Sequence, residues 1–530
     1  MLVHEHLIHN TLKYARKSVL VCGGDRISYE ELDYRTNQLG HALRKVGVRR
    51  GDRVALYLPN SIDAAIAVYA ILKAGAVFVP VNPGVKADKL SYILRDCGAS
   101  VVIADAWGTG IILHQLDSLP ALTAIFQTDR AQQGSNRIPV ISFNRVFRFE
   151  HSLPVDTAML DKDLACLIYT SGSTGKPKGV VCGHDNVDFA CGSIVTYLEN
   201  TDEDIIINAL PFSFDYGLYQ LLMTVCFGGT LVIENAFAYP VAILKTIERE
   251  RVTGLPLVPT LASMLLRQDF AGFDLTSLRY VTSTGAALPP AHIKHLEARL
   301  PHVRIYSMYG MTECKRTLYL PPERLADRPT SVGMAIPGTE VWLEDENGRQ
   351  VGRGASGELV VRGSHVMRGY WKDDELTARY YLAGPTPGER VLHSGDLFRM
   401  DEEGLLYFLA RKDDIIKSAG EKVAPKEVES VISELKGVAE VAVVGMPDEI
   451  LGQAVTAYVV AVDPAITEQI VQRHCARRLE SFMTPQTVHL VEELPRSSNG
   501  KVKRRGTRVL TGRDGSGPAH TRHSTRSVAQ

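Results

Sequence analysis

The sequence predicts an α/β protein: a large N-terminal region of α/β subdomains, then a β subdomain, then a small α+β domain toward the C-terminal end. Three observations predict it. Apolar runs of strand length alternate with helix-length segments in the first part of the chain, which is the pattern of βαβ units and parallel sheet. After about residue 330 the apolar runs shorten and crowd together in β-like fashion. A charged stretch, Arg411–Lys417, then precedes a helix-then-strand pattern. With 530 residues, 45% of them hydrophobic, the chain is globular in composition and too long for one core.

The elements follow in order. Ser28-Tyr29-Glu30-Glu31 reads as a capping box opening a helix that turns Leu32, Leu39, Ala42 and Leu43 inward. Val54–Leu58 is a buried strand, Ala64–Ala74 an apolar helix stopped by Gly75, and Ala76–Val81 the next strand. Leu231-Val232-Ile233 follows a Gly228-Gly229 turn, Val241–Glu250 reads as a helix, and a further strand ends at Tyr306. Glu340–Leu343 and Gly357–Val361 belong to the β subdomain. Pro425–Val444 is a helix and a strand, and Val455–Val460 a second strand. The expected organisation is a large domain over 1–411, a small domain over 412–510, and a tail over 511–530. That tail is rich in Gly, Ser, Thr, Arg and His, has no aromatic residue and carries no folding signal.

A formal charge of −1 argues against nucleic acid as a partner, because backbone binding needs excess Lys and Arg. No apolar run long enough to span a bilayer occurs, and Met1–His6 lacks the pattern of a signal peptide. The eight cysteines contain no Cys-x-x-Cys and mostly sit among apolar residues, as reduced core thiols do. Together these features imply a cytoplasmic enzyme.

The densest chemistry lies in Tyr169–Val180, Tyr-Thr-Ser-Gly-Ser-Thr-Gly-Lys-Pro-Lys-Gly-Val, directly after the apolar run Leu164–Ile168. Such a loop offers backbone N–H groups, hydroxyls and fixed positive charge to a polyphosphate. It is not a Walker A loop, and Pro177 forbids a helix interior after Lys176. An ordinary flexible turn has the same composition. Tyr309-Gly310-Met311-Thr312-Glu313 packs an aromatic face, a hydroxyl and a carboxylate after a strand; it fits a nucleotide–Mg²⁺ site or a turn leading into a helix. His393-Ser394-Gly395-Asp396 fits a ribose-binding carboxylate or a turn. Arg411–Lys417 and Pro495–Arg505 each fit a solvated charged loop as well as a functional one.

Taken together and in this order, over most of the chain, the motifs resemble the adenylate-forming superfamily of acyl-CoA synthetases, peptide-synthetase adenylation domains and luciferases. Ala410, where the family usually has glycine, is a small departure. The resemblance implies a large N-terminal part and a small mobile C-terminal domain, with ATP and Mg²⁺ as cofactors. It implies that Thr170, Ser171, Gly172, Ser173, Thr174, Gly175 and Lys178 hold the ATP phosphates, and that Gly285, Ala286 and Gly310 line the adenine and acyl pocket. Tyr309 would stack on adenine, Thr312 contact the α-phosphate, Glu313 bind Mg²⁺ and Asp396, with Arg411 nearby, take the ribose hydroxyls. Asp413 falls at the hinge position, near Gly420, and Lys501 matches the lysine that reaches the reacting carboxylate.

The substrate signal is Phe214-Asp215, which is similar to the peptide-synthetase pattern in which the aspartate pairs with an α-ammonium. A buried carboxylate without a partner is costly, and an amine-bearing acid would supply one; a helix cap at Asp215 is the competing reading. The segments Ser213–Gly217 and Tyr309–Arg316 are similar to those of stand-alone L-prolyl-carrier-protein ligases. The expectation is therefore an amino or imino acid such as L-proline, activated as acyl-AMP and passed to the phosphopantetheine thiol of a separate carrier protein, since no carrier domain follows the small domain. The alternative is an acyl- or aryl-CoA ligase. A non-catalytic binding member of the family is disfavoured by the intact Lys178, Glu313, Asp396 and Lys501.

Overall fold

The computed structural model describes residues 1–129, 137–171, 176–235, 239–418, 421–448, 450–496 and 502. The chain divides into two compact units, one of Met1–Phe408 and a second beginning at Leu409.

In the large unit two mainly parallel sheets carry the core. Among the described residues the first has seven strands in the order Val140–Ser142, Ala124–Gln127, Ala99–Ala104, Arg53–Tyr57, Val77–Pro80, Leu164–Ser171 and Pro177–Gly183. Only its last pair is antiparallel, a hairpin in which Cys166 faces Cys182 and Thr170 faces Lys178. The second sheet has nine strands, Met334–Ala335, Lys315–Leu320, Arg304–Met311, Tyr280–Ser283, Gly254–Leu257, Ile205–Asn208, Thr230–Ile233, Ser18–Cys22 and Asp25–Ser28. Its middle is parallel and both ends turn back as hairpins.

The helices form where the sequence signals them. Ser28 caps Tyr29–Lys45 by accepting the Glu31 N–H. The apolar helix Ile62–Lys73 ends at Ala74, followed by Gly75 in the left-handed region that favours glycine. It is buried nearly all round, between the two sheets' side chains, as its continuous Ala/Ile/Val/Leu composition requires. The β subdomain is an antiparallel sheet that includes Glu340–Glu344, Ser356–Arg362, Arg390–Met400 and Tyr381–Ala383 around Leu359, Val361, Leu392 and Phe398.

In the second unit, Gly452–Ala461 pairs with Val438–Asp448 and Thr487–Leu490, and the helices Pro425–Ile432 and Glu468–Ala476 cover a core of Val428, Ile432, Val455, Val459 and Val471. This is the α+β pattern read from the sequence. Among the described residues no helix is long and apolar enough to cross a membrane.

Two local readings are corrected. The strand expected to end at Tyr306 runs to Met311, so Tyr309, Gly310 and Met311 are strand residues and only Thr312–Cys314 turn. Antiparallel pairing with Lys315–Leu320 extends it, a long-range partner that local pattern does not reveal. Asp396, for which a turn was one of the two readings, lies within the strand Arg390–Met400, where an irregular register and Gly395 at φ 72° supply the bend.

Candidate active site

Phe214-Asp215, Gly285-Ala286 and Tyr309–Glu313 lie at the carboxyl ends of parallel strands of the nine-stranded sheet, the edge where open α/β sheets bind ligands, whereas Thr170 and Lys178 belong to the seven-stranded sheet and Asp396 to the β subdomain. Asp215 opens the helix that follows strand Ile205–Asn208. Gly285 (φ 86°) and Ala286 form the exposed turn after Tyr280–Ser283. Tyr309–Glu313 end the neighbouring strand Arg304–Met311.

Three hydrogen bonds tie the motifs together. The Tyr309 hydroxyl donates to Asp396 Oδ2 at 2.6 Å, joining the residues assigned to adenine and ribose. The Tyr309 ring stands edge-on to Phe398, which fixes its plane. The Tyr370 hydroxyl donates to Glu313 Oε1 at 2.8 Å. Thr312 Oγ1 donates to Asp215 Oδ2 at 3.4 Å, joining the residue expected at the α-phosphate to the one expected at the substrate. Gly310 is forced by packing: a Cβ there would lie 1.9 Å from the Lys315 carbonyl oxygen.

The hairpin Leu164–Ser171 and Pro177–Gly183 presents Thr170 directly across from half-buried Lys178. Pro177 begins a strand antiparallel to Leu164–Ser171 and not a helix, unlike the strand-to-helix arrangement of a Walker loop. The hairpin's outer strand is held by Trp371 and Arg368: Trp371 N–H donates to the Gly179 carbonyl at 2.7 Å, and Val181 pairs with Arg368 and Gly369. Gly172, Ser173, Thr174, Gly175 and Lys501 lie outside the described residues, as do the side chain of Ser171 and Gly420. Arg411 ends the strand Leu406–Arg411 and Asp413 sits exposed in the single 3-10 turn Lys412–Asp414; both belong to the second unit.

Asp215 is not the cap of its helix. Phe214 is the N-cap residue, buried and edge-on to Tyr216, and Asp215 is the first helical residue. Its Oδ1 accepts the Tyr216 N–H at 2.9 Å, Thr312 reaches the other oxygen, and the helix N-terminus favours its charge. The carboxylate is half-buried and already has donors, so the premise of an unpartnered buried charge that favoured an amine-bearing substrate does not hold. Gly217 lets this turn close, since a Cβ would lie 2.4 Å from the Pro211 carbonyl oxygen.

The sequence reading gave no role to four residues that the fold brings here: Tyr216, Lys315, Arg316 and Tyr370. Lys315 and Arg316 begin the second strand of the hairpin after Glu313 and are both buried. Burial disfavours the Lys315 ammonium, but the fields of Cys182, Asp215, Cys166 and Glu313 outweigh it and hold its pKa above the ordinary lysine value. Burial pushes the Cys314 thiol up to about 12, so this cysteine is no nucleophile at neutral pH. The local signal for Lys315 and Arg316 was their position directly behind the Tyr309–Glu313 motif.

Among the described residues no group of three or more His, Cys, Asp or Glu side chains could cage a metal. Mg²⁺ does not need one, because it is typically held by one or two carboxylates together with substrate phosphates and water. Glu313, fixed by Tyr370, fits that donor set.

Comparison with known proteins agrees. The model of the AMP-binding enzyme family matches residues 8–371, and that of the AMP-binding enzyme C-terminal domain matches 427–501. The chain is 31% identical over 529 residues to the long-chain-fatty-acid–CoA ligase of Escherichia coli O157:H7, covering 94% of this chain and 92% of that protein. It is 29% identical over 527 residues to tyrocidine synthase 2 of Brevibacillus parabrevis, covering 98% of this chain but 14% of that protein. The crystal structure of the anthranilate CoA ligase AuaEII in complex with anthranoyl-AMP superposes with a TM-score of 0.88 at 27% identity, covering 96% of this chain and 97% of that one. The chain therefore belongs to the AMP-binding enzyme family and is an AMP-forming acid–thiol ligase that uses ATP with Mg²⁺.

Proposed function

We propose that this ligase activates a carboxylic acid as its acyl-adenylate and passes the acyl group to the thiol of coenzyme A. The observation that carries the reading is the linked set Asp396–Tyr309, Tyr370–Glu313 and Thr312–Asp215 at one sheet edge. It orders a nucleoside end, a phosphate end and an acid end along a single strand terminus. Two relatives matched over 92% and 97% of their own length are CoA ligases, which supports CoA as the acceptor.

In the first step a carboxylate oxygen attacks the α-phosphorus of ATP. A new O–P bond forms, giving a mixed carboxylic–phosphoric anhydride, the bond from the α-phosphorus to the oxygen bridging it to the β-phosphate breaks, and pyrophosphate leaves with that oxygen. Two anions must meet, so the site has to supply positive charge and aligned donors. Thr312 offers its hydroxyl to the α-phosphate, Thr170 and Lys178 line the phosphate hairpin, and Lys501 brings an ammonium to the forming bond. Tyr309 and Asp396 position the adenosine. Bound Mg²⁺, held by Glu313, would neutralise phosphate charge. In the second step the thiol sulfur attacks the acyl carbon, its proton passes to solvent, the acyl C–O bond breaks and AMP leaves with the bridging anhydride oxygen. Asp413 serves as the hinge by which Lys501 withdraws between the steps.

A second reading remains, favoured by the placement of Asp215 beside Thr312 and by the match to tyrocidine synthase 2: an amino or imino acid handed to the phosphopantetheine of a carrier protein. Acid-dependent ATP–pyrophosphate exchange, screened over fatty, aryl and amino acids and followed by thioester formation with CoA or a loaded carrier, tests both. The expected outcome is exchange without an amine requirement, thioester formed on CoA, and exchange that survives Asp215→Ala in part. Exchange restricted to amino acids and abolished by Asp215→Ala, with no CoA thioester, would establish the second reading instead.

A further inference from the structure

Arg316 and Lys315 are 5% and 4% exposed. Arg316 Nη1 lies 3.0 Å from the Met223 sulfur, and its guanidinium carbon sits 4.8 Å over the Tyr216 ring. Lys315 Nζ makes no hydrogen bond and lies 5.1 Å from the Tyr219 ring centre. Among the described residues neither cation has a carboxylate within ion-pair distance. A guanidinium carries five N–H donors, and a thioether and a ring face cannot satisfy them. Buried charges are ordinarily paired, because an unpaired one forfeits its hydration for nothing.

Their position says what the missing partner is. Both cations face the helix Asp215–Phe227 at Tyr216, Tyr219 and Met223, which lie on one face by their spacing. The first residue of that helix, Asp215, is bonded to Thr312. The same hairpin that carries Tyr309, Thr312 and Glu313 therefore carries both cations, and it holds Lys315 at φ 54°, a region costly for a side-chain-bearing residue. Asp215 is engaged by Tyr216 N–H and Thr312, and is not within ion-pair reach of either cation.

We propose that Arg316, with Lys315 beside it, is the specificity determinant of the acid pocket, and that the acid this enzyme activates carries a second carboxylate that seats on the Arg316 guanidinium. The proposal rests on the adenylation reading above and names its substrate class. One carboxylate is presented to ATP near Thr312. The other passes along the Tyr216–Tyr219 face and ends on Arg316, whose planar fork matches a carboxylate in bidentate fashion. An acid with an apolar tail would leave both cations buried and unpaired, which is how a site built for a polar group rejects an analogue lacking it.

The test is ATP–pyrophosphate exchange with matched mono- and dicarboxylic acids of equal carbon count, straight-chain and aromatic, on wild type, Arg316→Met and Arg316→Lys, with thermal midpoints recorded with and without acid. The wild type is expected to favour the dicarboxylic member of at least one pair by about 100-fold or more in kcat/KM. Arg316→Met should erase that preference, and Arg316→Lys should retain part of it. A wild type that favours the monocarboxylic member of every pair overturns the proposal, as does an Arg316→Met variant that loses both members equally. If no acid supports exchange but a dicarboxylate raises the wild-type midpoint and not that of Arg316→Met, the adenylation reading falls and the anion site stands. No exchange and no midpoint shift overturns both.

Discussion

Two buried lysines in the large unit are treated in opposite ways. Lys73, 2% exposed, closes the apolar helix Ile62–Lys73 and donates to Asp33 Oδ1 at 2.6 Å and Asn37 Oδ1 at 2.8 Å. The fold has built it a complete set of acceptors on the neighbouring helix Tyr29–Lys45. Lys315 is as deeply buried and has a tyrosine ring in place of acceptors, and Arg316 next to it has a thioether and another ring. One charge is part of the architecture. The others are held, by a strained hairpin, for something that the chain does not contain. A buried cation's partners thus separate structural charge from charge kept for a ligand.

That distinction can be broken in several places. The largest effect is expected at Lys501, assigned to the reaction and not to the fold. Lys501→Ala should lower acid-dependent pyrophosphate exchange about 1,000-fold and leave the thermal midpoint unchanged; unchanged exchange would remove Lys501 from the mechanism. Next is Tyr370, which steadies Glu313 through its hydroxyl. Tyr370→Phe should raise the Mg²⁺ concentration needed for half-maximal exchange about 10-fold, with the KM for the acid little changed. A variant that shifts the acid KM and not the Mg²⁺ dependence would place Tyr370 elsewhere in the site.

The smallest effect concerns another charge that the fold itself satisfies. The His6 Nε2–H donates to Asp188 Oδ1 at 2.6 Å. Burial would lower its pKa, but the hydrogen bond to Asp188, with Cys226, outweighs burial and raises it to about 9. A raised folded pKa means stabilisation that is full below the ordinary histidine value of 6.5 and lost as pH climbs through about 9. His6→Gln should therefore cost about 1–2 kcal/mol near pH 6 and almost nothing above pH 9 to 10, read as the midpoint difference from wild type across pH. A constant difference over that range would mean that the ion pair contributes nothing.

What the sequence disclosed and what it hid follow the range of the interactions involved. The βαβ order and the apolar helix stopped by Gly75 rest on local pattern, and they are legible; the Gly/Ser/Thr-rich stretch behind Leu164–Ile168 stood out by composition, but the antiparallel pairing of its flanking strands did not. Tyr309, Glu313 and Asp396 stood out through their motifs, but their geometry was not legible: the strand containing Tyr309 is prolonged by pairing with Lys315–Leu320, and Asp396 sits in a bent strand. Asp215 was read as an unpartnered charge because its partner, Thr312, is far along the chain. Lys315 and Arg316 received no role of their own in the sequence reading, which used them only as the end of the segment Tyr309–Arg316. Only the packing of the hairpin against the helix Asp215–Phe227 shows that they are buried, and burial is what turns two common basic residues into a substrate hypothesis.

The central claim is tested most directly by measuring thermal midpoint and acid selectivity together in Lys73→Met and Arg316→Met. Lys73→Met strands a partly buried Asp33 and should destabilise by about 2–3 kcal/mol with the dicarboxylate-to-monocarboxylate ratio of kcat/KM unchanged. Arg316→Met removes a cation that has no carboxylate partner among the described residues, and it should keep or raise the midpoint while the ratio collapses about 100-fold. An Arg316→Met protein that is destabilised like Lys73→Met and keeps the wild-type ratio would contradict the account, because its charge would then belong to the fold.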